Sequence, residues 1–113
     1  MHEMALARSI VDIVDEHARE HACARVRVVR LSIGALSHVE PRALEFGFDV
    51  VARGTRAEGA RLAIERPRGT AWCTDCTDTV EIGAHGEPCP RCGGHKWILT
   101  GGDDMRVVEL EVD

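Results

Sequence analysis

Met4, Ala7, Ile10, Val11, Val14 and Ala18 recur at spacings of three and four, which predicts an amphipathic helix over residues 4–21. Leu6 and Ile13 widen the stripe, while Arg8, Asp12, Asp15, Glu16, Arg19 and Glu20 supply the wet side. From Arg25 to Gly34 the period changes to that of a strand. Val26 and Val28 alternate with Arg25 and Arg27, and then Val29, Leu31 and Ile33 alternate with Arg30 and Ser32. The parity flips between Val28 and Val29, as a bulge or burial on both faces would require. Pro41 opens a second helix over 41–53, with Leu44, Phe48 and Val51 as its stripe and Gly54 as its stop. A second strand, 61–66, carries Leu62 and Ile64 on one face and ends at Pro67. The last strand, 105–112, places Val108, Leu110 and Val112 together.

Residues 69–101 break this texture. Gly, Thr, Asp, Pro and Cys dominate, apolar residues are sparse, and the stretch is too long for an ordinary loop. It reads as an inserted lobe held by something other than a core. The expectation is an α+β fold: a small three-stranded mixed sheet with two helices on one face, plus an inserted zinc-ribbon-like lobe. Residues 1–68 and 102–113 would form the α+β domain and 69–101 the lobe.

Composition narrows the class. At 113 residues and 44% hydrophobic the chain is one compact unit, with little aromatic volume: two Phe, two Trp and no Tyr. A net charge of −5 argues against a nucleic-acid partner. No run reaches the length of a membrane span and no leader-like segment opens the chain, so a cytoplasmic protein is expected.

The insert contains Cys73-Thr74-Asp75-Cys76 and, after twelve residues, Cys89-Pro90-Arg91-Cys92-Gly93-Gly94. Two residues between cysteines let both thiolates of a turn face one ion, and two such knuckles supply the tetrahedral set that zinc takes in a closed structural site. Gly93 and Gly94 allow the positive backbone angles of the second knuckle. Iron in a rubredoxin-like site and a pair of disulfides are the competing readings. Four thiolates leave no open position, so hydrolysis at this metal is not expected.

The chain begins Met1-His2-Glu3. The terminal amine, the His2 amide and imidazole, and the Glu3 amide can form fused chelate rings in a plane of nitrogens, which suits Ni(II) or Cu(II). An N-terminal His is more often simply solvated. What adds weight is resemblance. MHEMALARSIVDIV at 1–14, LSIGALSHVEP at 31–41, the paired knuckles and GGDDMRVVELEVD at 101–113 resemble the HypA/HybF family over essentially the whole chain. The resemblance implies a nickel metallochaperone for [NiFe]-hydrogenase maturation, and in some organisms urease, rather than an enzyme. It implies nickel as transient cargo on Met1, His2 and Glu3, and structural zinc on Cys73, Cys76, Cys89 and Cys92. It further implies a HypB-type nickel-handling GTPase and the hydrogenase large-subunit precursor as partners, with the chain a monomer or weak homodimer. Thr77 departs from the pattern, which often has glycine after the second cysteine, and strains the turn. A zinc-ribbon adaptor for protein or nucleic acid is the alternative; it leaves the first three residues without a role.

Among the remaining histidines, His17 and His21 lie four apart on the first helix with no third ligand evident, His38 with Glu40 settles the second helix start, and His85 is a solvated hairpin tip. His95 is placed to hydrogen-bond a thiolate or touch nickel transiently. Cys23 reads as a small buried hydrophobe, and Trp72 and Trp97 as packing over the metal centre or as core filler.

Overall fold

The computed structural model describes residues 2–113, with only the backbone of His2. Met1 and the His2 imidazole, two of the expected nickel donors, lie outside the described residues. The elements are α1 (His2–Glu20), β1 (Val26–Ile33), α2 (Pro41–Val51), β2 (Arg61–Glu65), β3 (Gly69–Cys73), β4 (Asp78–Ile82), β5 (Trp97–Gly101) and β6 (Met105–Val112). Two three-stranded sheets result, in the orders β2-β1-β6 and β4-β3-β5. Two compact units form: residues up to Leu31 with 39–64 and 107–113, and residues 32–38 with 65–106.

In the first unit the α1 stripe is buried as the spacing predicts: Ala7, Ile10, Val11, Val14 and Ala18 are all closed to solvent. Ile13 is the exception, 57% exposed at the edge of the stripe. α1 packs on α2, and Gly47 permits the approach: a Cβ there would lie 2.8 Å from the Met4 sulfur. α2 starts at Pro41 with Glu40 as its N-cap, the Glu40 carboxylate accepting from the Arg42 N–H. α1 ends in a Schellman turn. The Cys23 N–H reaches the Ala18 carbonyl at 2.8 Å and the Ala22 N–H that of Arg19 at 3.2 Å, with Ala22 left-handed at φ 54°.

β1 is the central strand of its sheet. Val26 and Ser32 are buried on one parity and Val29, Leu31 and Ile33 on the other. Burial on both faces therefore accounts for the parity flip. The sheet is mixed. β6 runs antiparallel to β1, since the Asp113 N–H meets the Arg25 carbonyl at one end and the Gly34 N–H meets that of Asp104 at the other. β2 runs parallel to β1, because the Val26 N–H bonds the Arg56 carbonyl and the Ala35 N–H that of Pro67. β6 is an edge, which leaves Val108 and Val112 half-exposed.

The second unit is built on the β4-β3-β5 sheet, antiparallel throughout, with Trp72 opposite Thr79 on one side and Ile98 on the other. Its inner face holds a small core of Leu36, Ala71, Val80 and Ile82 closed against Cys73 and Cys89, with Trp97 and Leu99 packed on it. The insert thus has more core than its composition suggested, because strand alternation puts its few apolar residues on one side. Where the chain enters and leaves, glycines touch: a Cβ on Gly34 would sit 2.0 Å from the Gly102 oxygen, and one on Gly102 2.2 Å from the Gly69 Cα. Only glycine fits that crossing.

Candidate metal centre

The four insert cysteines converge. Their sulfurs all lie within 4.8 Å of one another, with Cys73–Cys92 at 3.7 Å and Cys76–Cys89 at 3.9 Å. A disulfide needs about 2.05 Å between sulfurs. A zinc tetrathiolate, with Zn–S of about 2.3 Å, has sulfur–sulfur edges of about 3.8 Å. The spacing fits the ion and not the bonds, and all four cysteines are free thiols.

β3 delivers Cys73 at its end, fully buried, and a tight turn brings Cys76 back with its N–H 3.4 Å from the Cys73 sulfur. The turn passes through Thr77 at φ 51°, a left-handed β-branched residue, whose hydroxyl donates to the Cys76 carbonyl at 2.7 Å. The second knuckle is closed by Gly93, at φ 74°. Its N–H meets the Cys89 carbonyl at 2.8 Å, and the Cys89 N–H meets the Gly94 carbonyl at 2.7 Å. Gly94, also expected at a positive angle, is not among the positive-φ glycines; a Cβ there would lie 3.3 Å from the Asp75 carboxylate and 3.4 Å from the Cys92 sulfur. The knuckles are tied together by Thr74 to the Lys96 carbonyl and by the Arg91–Asp78 ion pair.

Electrostatics point to a cation. The N–H groups of Cys92 and Arg91 face the Cys89 sulfur and bring that thiol down to about 7. The Cys76 thiol, hydrogen-bonded to Cys92 and partly desolvated, is pushed up to about 12. Four thiolates this close repel one another, and a divalent ion at their centre removes the conflict. Four sulfurs also close the coordination sphere, so the centre is suited to holding a shape and not to activating water.

Several contacts here carry no clear sequence signal. Glu87 accepts N–H groups of Gly83 and Ala84 and pairs with Arg68, and its carbonyl takes the Trp97 indole N–H at 2.9 Å. Trp97 therefore packs on the core beside the cysteines, whereas Trp72 faces outward, 42% exposed. His85 is not a free tip: its Nε2 lies 2.8 Å from the Leu36 carbonyl and its ring stacks on His38 at 5.1 Å. Glu40 is the N-cap of α2, and His38 stacks on His85. His95 is exposed, and Cys23 is half-buried rather than closed off.

Of the expected nickel donors, only Glu3 is described beyond its backbone. It lies in the first turn of α1 and its carboxylate accepts the Glu40 N–H at 3.2 Å. Among the described residues no helix is long and apolar enough to cross a membrane.

A family model described as hydrogenase/urease nickel incorporation, metallochaperone, HypA matches residues 1–112. The chain is 58% identical to hydrogenase maturation factor HypA 2 of Bradyrhizobium diazoefficiens over 113 residues, the whole of both chains. It is 47% identical to HypA of Methylocella silvestris, again over the full length of both. Two solved structures share the fold. The Ni metallochaperone HypA from Helicobacter pylori aligns with a TM-score of 0.66 at 22% identity, covering 97% of this chain and 96% of that one. A second HypA solution structure aligns at 0.72 and 24% identity, covering 99% and 96%.

Proposed function

The chain belongs to the HypA family of hydrogenase/urease nickel-incorporation metallochaperones, and from that premise we propose that it carries Ni(II) for maturation of [NiFe]-hydrogenase and performs no catalysis of its own. The match over residues 1–112 carries this reading, because it includes both the Met-His-Glu opening and the paired knuckles. Nickel is held by the Met1 amine, the His2 amide and imidazole, and the Glu3 amide. Zinc is held by Cys73, Cys76, Cys89 and Cys92 and fixes the inserted lobe, residues 69–101, within an α+β frame of 1–68 and 102–113. The recipient is the hydrogenase large-subunit precursor, reached together with a HypB-type GTPase in the cytoplasm.

Placement at a chain end suits a donor. Few protein contacts need to break for the ion to leave, and binding through deprotonated amides makes the hold pH-dependent. The sulfur cage, by contrast, offers no open position for exchange.

The deciding experiment is a nickel titration of zinc-loaded protein with its native first residue, beside His2→Ala and an N-terminally extended form. One equivalent of nickel with a planar-nitrogen spectrum is expected in the native form, and neither altered form should show it. Equal nickel affinity in all three would leave only a zinc-stapled adaptor.

A further inference from the structure

The geometry points to a second, exposed transition-metal site at the C-terminal end of α1, formed by His17, His21 and Cys23. The two imidazoles stack with ring centroids 4.2 Å apart on one face of the helix, as residues four apart do. His21 Nδ1 lies 2.9 Å from the His17 carbonyl oxygen. Donating its proton there fixes the tautomer and leaves the Nε2 lone pair outward, the arrangement metal-ligating histidines commonly show. The third donor comes from the Schellman turn. Left-handed Ala22 folds the chain back so that Cys23 lies against the last turn of the helix.

His17, His21 and Cys23 then line one groove of about 530 Å³, floored by Val14, Val107 and Leu110. The groove places a half-buried thiol and two exposed imidazoles around one open space. The negative dipole end of α1 favours a cation there. The donors are not preassembled as the four insert sulfurs are: His21 is held by its bond to the His17 carbonyl, and rotation of His17 and of Cys23, whose thiol faces the His21 carbonyl at 3.7 Å, brings the other two donors to an ion. Two nitrogens and one sulfur suit borderline ions such as Zn(II), Co(II) or Ni(II), and three protein ligands leave an open position through which an ion can be accepted and passed on. Fifteen residues of helix, about 22 Å of rise, separate His17 from His2, so this site stands apart from the proposed N-terminal nickel site and does not depend on it.

The test is a Co(II) titration of full-length, zinc-loaded protein carrying an N-terminal extension, which removes the terminal amine as a ligand. One equivalent of Co(II) with a thiolate-to-metal charge-transfer band is expected while zinc content stays constant. Cys23→Ser should abolish the band. His17→Ala and His21→Ala should each weaken binding about tenfold or more, since losing even an outer partner of a ligand costs about that much. Unchanged far-UV circular dichroism confirms that each variant is folded. Absence of a thiolate band in the parent, or a band that survives in Cys23→Ser and so reports exchange into the four-cysteine cage, overturns the proposal.

Discussion

The Glu3 carboxylate accepts the main-chain N–H of Glu40 at 3.2 Å, so the first turn of α1 is tied to the N-cap of α2 across 37 residues of sequence. We predict that Glu3→Ala lowers stability by about 0.5–1.5 kcal/mol, the net value of one such hydrogen bond. Urea unfolding followed by helix signal measures it. Zinc content should be unchanged, because the cysteines lie in the other compact unit. No shift in midpoint would mean that the tie contributes nothing in solution.

Thr77 occupies a left-handed position at φ 51°. For a β-branched residue this conformation costs about 1–2 kcal/mol relative to the right-handed one. Its hydroxyl bond to the Cys76 carbonyl recovers part of that cost. Thr77→Gly should therefore stabilise zinc-loaded protein by about 1 kcal/mol, read as a raised thermal midpoint of the insert's tryptophan fluorescence. A lower midpoint would show that the hydroxyl bond outweighs the backbone strain.

Replacing Cys76 by alanine should release the zinc and melt the sheet around it. Structural zinc contributes about 10–16 kcal/mol of apparent binding energy in small domains, more than the core of Leu36, Ala71, Val80 and Ile82 can supply alone. Elemental analysis should find little zinc, and amide exchange should rise across 69–101 while α1 and α2 keep their protection. Full zinc with a protected insert would remove Cys76 from the ligand set.

Glu87 should make the insert acid-sensitive. The N–H groups of Gly83 and Ala84, together with Arg68, hold its carboxyl below the ordinary 4.5, against the opposing effect of burial. A lowered folded value means that the contribution is full above pH 4.5 and is lost as pH falls through the folded value. Exchange protection of the Gly83 and Ala84 amides, measured by NMR, should stay flat from about pH 7 to 5 and decline below. Glu87→Gln should flatten that decline. Protection already lost near neutrality would contradict the assignment.

The sequence was most legible where one physical period dominated. The α1 stripe, Pro41 with its helix and the paired cysteines were each readable because a helix face, a missing N–H and a tetrahedral ion impose strict spacing. The five-residue strands of the insert were not: their Thr and Asp content masks the alternation, and Leu36, which completes their core, comes from a distant segment. His85 and Glu87 were misread or missed for the same reason, since their partners, the Leu36 carbonyl and the Gly83 and Ala84 amides, are main-chain groups that leave no mark on side-chain pattern. The α1 boundary, expected at residue 4, lies at His2.

That early start has a mechanical meaning. Successive amides in an α-helix are turned by about 100° about the axis, so the nitrogens of residues 2 and 3 cannot lie in one plane with the terminal amine while the turn is intact. An ion that flattens them must uncoil the opening turn. Were nickel held there as proposed, any encounter that rewound the coil would eject it, and the first few residues of α1 would act as a spring set against the metal.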